Sequence, residues 1–133
     1  MHVLPYLFFD GRCEEALAFY RDAVGAEVGA LMRYKDSPEP MQPAPPGEKV
    51  MHCEFRVGDT AIMASDGHCT GTPSFKGFSL TLAVDDEAGA HRHFEALSQG
   101  GKVEMPLTKT FFSPCFGMLT DRFGVGWMVI ARS

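Results

Sequence analysis

The amino-acid sequence predicts an α+β fold made of two βαβββ modules, with curled mixed sheets around a cleft and the helices on the outer faces. Two observations predict it. The strand and helix patterns of residues 1–70 recur in the same order in residues 75–133. Four residue pairs also match at an offset of 75: Asp10 and Asp85, Phe19 and Phe94, Gly25 and Gly100, and Val28 and Val103. Two copies of so long a unit indicate one pseudo-twofold domain over residues 1–133, since a solenoid needs three or more short repeats.

The first module begins with an apolar run at residues 3–9, which predicts a strand ending at the turn Asp10-Gly11. From Cys13 the apolar residues recur at three- and four-residue steps, as they do on one face of a helix, and Gly25 marks the helix end. Further strands are predicted at residues 28–34, 50–57 and 60–64. The hairpin turn Gly58-Asp59 joins the last two. Residues 37–46 hold five of the nine prolines and predict a loop, because proline lacks the N–H that a strand needs.

The second module repeats this order. A strand is predicted at residues 78–84, followed by Asp85-Asp86 and a helix whose inner face carries Ala90, Phe94 and Leu97. Its later hairpin aligns Gly124 with Gly58 at an offset of 66, so this copy is nine residues shorter between these points (75 minus 66). The proline-rich loop accounts for the difference.

Composition limits the function. The net charge is −5 and the basic residues are scattered, which argues against a nucleic-acid binder that follows phosphates. The chain shows neither a leader pattern nor a run approaching the ~18 apolar residues that span a bilayer, so we expect a cytoplasmic protein without membrane contact. The four cysteines lack paired spacing and are predicted to be free thiols, with two disulfides as the alternative.

Two segments carry a family resemblance: EALAFY at residues 15–20 and DRFGVGW at residues 121–127. With the repeated βαβββ pattern, they resemble the vicinal-oxygen-chelate superfamily, which includes glyoxalase I, bleomycin-resistance proteins and extradiol dioxygenases. The segments PYL (5–7), MHCEFR (51–56) and FGMLTD (116–121) resemble its PhnB-like branch, whose members are often labelled demethylubiquinone methyltransferase-like. The chain has no glycine-rich strand-to-helix turn of the kind that cradles a nucleotide-like cofactor, so methyl transfer is not predicted as its mechanism.

The resemblance also implies where a metal would lie. In metal-dependent relatives, His and Glu side chains from the first and last strand of each module hold a divalent cation. The matching positions here are Pro5 and Ser79 on the first strands, a residue near Ile62, and Met128. These side chains offer a hard cation no carboxylate and no imidazole, so we expect neither a metal nor another cofactor.

The strongest polar constellation lies on the strand at residues 50–57. Strict alternation places His52, Glu54 and Arg56 on one face, and the apolar side chains on the other. A carboxylate beside an imidazole raises the pKa of the imidazole, which makes His52 with Glu54 the candidate catalytic pair. His52 is a candidate general base or a partner for a carboxylate of the ligand. Arg56 is a candidate ligand contact. The alternative is a ladder of salt bridges on an exposed surface.

Two further residues are candidate ligand contacts. Phe112 lies in the irregular segment Phe111-Phe112-Ser113-Pro114, where an aromatic ring can form the wall of a pocket. Asp66, together with His68 and Cys69, can form a polar mouth to the cleft. A core role for the ring and a surface linker for the polar segment are the alternatives.

Three functions remain open. The first is a metal-independent protein that binds a small, partly aromatic or amphipathic molecule. The second is a metal-free isomerase or lyase that uses His52 with Glu54. The third is a metal-dependent lyase or dioxygenase with unusual ligands such as His52, Glu54 and His68. The resemblance also implies a homodimer.

Overall fold

The computed structural model describes residues 1–39, 45–69 and 71–132. The chain divides into two compact units, Met1–Pro73 and Ser74–Ser133. The central part of the predicted proline-rich loop, residues 40–44, lies outside the described residues. No helix within the described ranges is both long enough and apolar enough to cross a lipid bilayer.

The first unit contains one α-helix and a four-stranded sheet. Its elements are β1 (Tyr6–Phe8), α1 (Cys13–Val24), β2 (Glu27–Arg33), β3 (Val50–Val57) and β4 (Thr60–Ser65). The strand order is β1-β4-β3-β2; β1 runs parallel to β4, and the other neighbours are antiparallel. The predicted first strand is shortened to three residues because proline cannot donate to a ladder. The carbonyl of Pro5 still accepts a hydrogen bond from the backbone N–H of Met63, at 3.0 Å.

The second unit repeats the arrangement. Its elements are β5 (Leu80–Val84), α2 (Glu87–Ser98), β6 (Lys102–Thr108), β7 (Phe116–Thr120) and β8 (Gly126–Ala131). The strand order is β5-β8-β7-β6, with β5 parallel to β8. The predicted α+β fold of two βαβββ modules with mixed sheets is therefore confirmed.

In the first unit, α1 packs its apolar face on the sheet. The ring of Tyr20 stacks on Phe55 of β3 with centroids 5.8 Å apart, and both side chains are fully buried. Gly25 ends the helix in the left-handed conformation, at a φ of 69°, which glycine adopts without steric cost. The face of each sheet that turns away from its own helix is called here the distal face.

In the second unit, α2 packs closely against its sheet at Gly117. A Cβ atom built on Gly117 of β7 would lie 2.8 Å from Cε2 of Phe94, so only glycine fits beneath that ring. The buried indole of Trp127 donates to the carboxylate of Asp121 at 2.9 Å. Because Gly117 and Trp127 face α2, strand alternation turns Met118 and Met128 toward the distal face.

Candidate functional site

The distal face of the first sheet carries the polar residues predicted for β3. His52, Glu54 and Arg56 are exposed, whereas Cys53 and Phe55 between them are fully buried on the side of α1. The predicted alternation of this strand is therefore observed. It places the three polar side chains on one surface, about 7 Å apart from one to the next at ~3.4 Å per residue.

The most specific contact on this face joins Tyr6 to His52. The hydroxyl of Tyr6 lies 3.0 Å from Nδ1 of His52, and the two rings are 5.6 Å apart. The ring of Phe8, which is 55 % exposed, lies 4.8 Å from that of Tyr6. Sequence reasoning missed Tyr6 as a site residue, because it is separated from His52 by 46 positions along the chain.

The sheet order explains the contact. Tyr6 on β1 pairs with Met63 on β4, and Met63 pairs in turn with Glu54 on β3. The tyrosine side chain reaches diagonally across β4 to the next residue of that face, His52. A parallel β1–β4 pair cannot be read from local sequence patterns, so only the folded sheet identifies this partner.

The hydrogen bond to Nδ1 of His52 can form with either of the two tautomers of the neutral imidazole. If the Tyr6 hydroxyl donates to Nδ1, the neutral ring carries its proton on Nε2 and presents a donor. If Nδ1 carries the proton and donates to the hydroxyl, Nε2 presents a lone pair and can accept a proton. In both states Tyr6 orients the ring and leaves Nε2 as the reactive edge.

Glu54 and Arg56 lie beside a shallow depression on the same unit. Its volume is about 290 Å³, and its lining is formed by Glu27, Val28, Gly29, Glu54 and Arg56. The guanidinium of Arg56 donates to the carbonyl of Asp59 in the hairpin turn, at 3.2 Å. Within the part of the chain that the structure describes, no ion pair joins His52 to Glu54. The predicted pair thus shares a face without direct contact.

Asp66 lies in the interior of the first unit. Its side chain is 1 % exposed, and its carboxylate accepts three backbone N–H groups, from Gly11, Cys13 and Val50, each at 2.8 Å. These bonds tie the start of α1 and the start of β3 to the end of β4. The contacts support a structural role for Asp66, and the polar mouth that was predicted with His68 and Cys69 stays a prediction; His68 is exposed.

Phe112 lies in the second unit on a turn organised by Thr110. The hydroxyl of Thr110 accepts the backbone N–H groups of Phe112, at 3.3 Å, and of Ser113, at 3.1 Å. Phe112 is 49 % exposed and packs edge-to-face against Phe111 and Phe116, at 5.1 Å in each case. The turn therefore presents an aromatic cluster, and the role of Phe112 in binding a ligand stays a prediction.

The distal face of the second sheet carries a row of three methionines. Met105, Met118 and Met128 lie opposite one another on the adjacent strands β6, β7 and β8. Thioether side chains are flexible and polarisable and form adaptable apolar surfaces. The sequence analysis did not predict this row. Met118 and Met128 lie at equal distances from the β7–β8 turn, and this symmetry is a signal that could have predicted their pairing.

The strand register also corrects the positions expected for a metal. Tyr6 lies opposite Met63 in the first unit, and Thr81 lies opposite Met128 in the second. Ile62 is only 4 % exposed and faces α1, so Met63 takes the distal position that the sequence count assigned near Ile62. A phenol, an aliphatic hydroxyl and thioethers do not form the carboxylate and imidazole set that holds a hard divalent cation.

A metal centre could also be built from other His, Cys, Asp or Glu side chains of the chain. Among residues 1–39, 45–69 and 71–132, no three His, Cys, Asp or Glu side chains come together in a group that could hold a metal ion. In particular, the structure does not assemble His52, Glu54 and His68 into such a group.

Comparison with known proteins identifies close relatives along the whole chain. A family model described as 3-demethylubiquinone-9 3-methyltransferase matches residues 1–130. Protein YjdN of Escherichia coli (strain K12) is 33 % identical over 138 residues, covering 97 % of this chain and 94 % of that protein. The crystal structure of protein PA1353 from Pseudomonas aeruginosa is 44 % identical, with a TM-score of 0.87 and coverage of 99 % and 98 %.

Further structures define the branch and the fold. A putative 3-demethylubiquinone-9 3-methyltransferase, the PhnB protein from Bacillus cereus, is 28 % identical with a TM-score of 0.83, covering 98 % of this chain and 99 % of that one. A glyoxylase/bleomycin resistance protein/dioxygenase domain from Frankia sp. EAN1pec, at 15 % identity and a TM-score of 0.65 with coverage of 99 % and 95 %, shares the fold. The chain therefore belongs to the PhnB-like family described as 3-demethylubiquinone-9 3-methyltransferase.

Proposed function

We propose that this protein binds a small, partly aromatic molecule on the distal face of its first sheet and needs no metal ion to do so. The observation that carries the proposal is the hydrogen bond between the Tyr6 hydroxyl and Nδ1 of His52. It orients a polar edge beside two aromatic rings on an exposed sheet surface. Binding sites combine a flat apolar surface with a few oriented polar groups in this way.

The neighbouring side chains suggest the chemistry of the ligand. The rings of Tyr6 and Phe8 offer area on which an aromatic or amphipathic body can stack. The Nε2 edge of His52 would meet a polar substituent of that body. Further along β3, Glu54 can accept hydrogen bonds and Arg56 can pair with an anionic group. Arg56 thus remains a proposed ligand contact, and Glu54, predicted as a catalytic residue, is proposed here as a ligand contact as well.

The absence of a metal requirement rests on the donor set. The distal positions of the β1–β4 and β5–β8 pairs hold Tyr6, Met63, Thr81 and Met128. Their phenol, hydroxyl and thioether groups favour direct contact with an organic ligand over coordination of a hard cation.

A second candidate function is a metal-free isomerase or lyase. It is favoured by the same contact, because a tyrosine that fixes the ring of His52 can leave Nε2 as a general base. Glu54 would then act on the substrate as well, because it lies two residues further along the same face of β3. Binding without turnover would favour the first function, and turnover would favour the second.

Methyl transfer, which the family description names, is a third reaction to test. The turns that precede α1 and α2 are occupied by carboxylates of the chain itself. Asp66 accepts the N–H groups of Gly11 and Cys13, and Asp86 accepts the N–H of Gly89 at 2.7 Å. These backbone donors are therefore already used and do not form a cradle for a nucleotide-like cofactor.

The test starts with protein treated with EDTA. A thermal-shift screen of small aromatic acids, phenols and amides selects a ligand, and calorimetry measures its affinity. We expect His52→Ala and Tyr6→Phe each to weaken binding by roughly 3- to 10-fold, the value of one hydrogen bond. His68→Ala is the matched control, because it removes an exposed histidine of the same unit and should leave affinity unchanged.

Several results would overturn the proposal. Equal affinity of wild type, His52→Ala and Tyr6→Phe would remove the distal face as the site. Binding that appears only after Zn, Ni, Mn or Fe is restored would contradict metal independence. Methylation of a substrate supplied with S-adenosylmethionine would replace the proposal with transferase activity. If turnover of a substrate is found and survives in His52→Ala, His52 is not its general base.

We also propose that the chain forms a homodimer, as its family resemblance implies. Sedimentation at micromolar concentration should give twice the monomer mass. A monomer under these conditions would contradict this part of the proposal without affecting the site on β3.

A further inference from the structure

Two buried cysteines touch each other in the first unit. Sγ of Cys13 lies 3.8 Å from Sγ of Cys53, and neither residue is exposed to solvent. Cys13 is the first residue of α1, whereas Cys53 lies in the middle of β3. All four cysteines are free thiols in the structure, as the sequence predicted, and the other two have different partners. Cys69 donates to the carbonyl of Asp66, and Cys115 lies beside His91.

The two sulfurs are in contact but not bonded. The sulfurs are already within van der Waals distance, and bond formation requires them to approach from 3.8 Å to about 2.0 Å. The backbone N–H of Cys13 donates to the buried carboxylate of Asp66 at 2.8 Å, which holds the start of α1 beside β3.

The two thiols differ in their surroundings. The hydrogen-bond contact between the two sulfurs lowers the pKa of Cys53, and the backbone N–H of Ala64 acts in the same direction. The same hydrogen bond, burial and the nearby carboxylate of Asp66 raise the pKa of Cys13. Each sulfur lies within reach of the other, so either can attack once its partner has been oxidised.

We propose that Cys13 and Cys53 form a redox-active dithiol that closes into a disulfide when hydrogen peroxide reaches it. In the first step, the Cys53 thiolate attacks one peroxide oxygen; an S–O bond forms, the O–O bond breaks, and hydroxide leaves. In the second step, the Cys13 sulfur attacks the sulfenic sulfur of Cys53, and the hydroxyl departs with the Cys13 proton as water. Overall, two thiols and one peroxide give one disulfide and two waters.

The modification would lie directly beneath the distal face of the first sheet. Cys53 is flanked by His52 and Glu54, whose side chains point to the opposite side of β3. A disulfide would tie this part of the strand to the start of α1. The proposal stands on the two sulfurs alone and does not depend on the ligand-binding function.

The experiment uses the reduced, folded full-length chain. The protein is exposed to hydrogen peroxide, and the reaction is stopped at intervals in acidic denaturant containing N-ethylmaleimide. Peptide mapping by mass spectrometry should reveal a peptide pair joined through Cys13 and Cys53. The intact protein should lose about 2 Da, the mass of two hydrogens, and dithiothreitol should restore it. Circular dichroism before the quench verifies that the chain stays folded.

Variants separate this pair from the other thiols. Cys13→Ser and Cys53→Ser should each abolish the linked peptide, whereas the matched control Cys69→Ser should form it at the rate of the wild type. If the first two variants do not fold, the peptide map of the wild type decides alone.

The proposal is overturned by any of three results. The first is recovery of both Cys13 and Cys53 as maleimide adducts after Cys69 has been oxidised. The second is oxidation of Cys53 to sulfinic acid without a link to Cys13. The third is a disulfide between either of the two cysteines and Cys69 or Cys115.

Discussion

Replacing Asp66 with alanine tests whether this residue builds the fold or meets a ligand. The substitution removes the acceptor of three backbone N–H groups inside the first unit, those of Gly11, Cys13 and Val50. The side chain is almost wholly buried, so water cannot replace the lost acceptor without entering the core. Both the first turn of α1 and the start of β3 lose their connection to the end of β4.

The expected loss is large. A hydrogen bond to a charged group contributes about 1.5 to 3 kcal/mol, but three bonds to one side chain are not additive, so we expect a total loss of about 4 kcal/mol. This is a substantial part of the ~5 to 15 kcal/mol that stabilises a typical domain. Asp66→Asn should lose about half as much, because its oxygen can still accept two of the N–H groups while its amide faces the third.

Urea unfolding followed by far-UV circular dichroism measures the effect. The fluorescence of Trp127, the single tryptophan, is recorded in parallel because this residue reports on the second unit. Asp22→Ala is the control, since Asp22 is exposed on α1 and its loss should change stability by less than about 0.5 kcal/mol. If Asp66→Ala stays within about 1 kcal/mol of wild type while ligand affinity falls, Asp66 is a ligand contact after all and the structural reasoning is wrong.

Two other substitutions follow from packing and charge. Gly117→Ala should lower the free energy of unfolding by about 1 to 3 kcal/mol, because its Cβ would press into the ring of Phe94. The control Gly126→Ala meets only ordinary contacts and should lower it much less. Equal losses of the two variants in urea unfolding would contradict this account. The hydrogen bond from Arg33 lowers the pKa of Glu14, so their pair stabilises the fold above the ordinary glutamate pKa of 4.5, and this contribution disappears as the pH falls through the lowered value. Glu14→Gln should therefore be slightly less stable than wild type at neutral pH, and the two stabilities should converge in acid. A stability difference that widens in acid would contradict the lowered pKa of Glu14.

Local sequence signals predicted most of the elements correctly. The three- and four-residue spacing after Cys13 predicted α1, and Gly25 ends it in the left-handed conformation as expected. The strand Val50–Val57 has the predicted bounds, and the hairpin turn at Gly58 lies where the sequence placed it. These features depend on backbone preferences and burial within a few residues, which is why the sequence shows them.

Local sequence signals did not show the register between strands that are distant in the chain. Counting along the chain assigned a ligand position near Ile62, whereas the pairing of β1 with β4 places Met63 opposite Tyr6. Because side chains alternate across a strand, an error of one residue moves the position to the other face. The same limit hid the methionine row on the second sheet.

The sequence by itself determined the two βαβββ modules and the shared face of His52, Glu54 and Arg56, because each follows from local patterns. The tertiary structure alone decided that Tyr6 holds His52, that Asp66 is buried beneath three backbone donors, and that Cys13 meets Cys53. Each of these contacts joins segments far apart in the chain. Their partners are chosen by strand order and helix packing, which arise only when the whole unit folds.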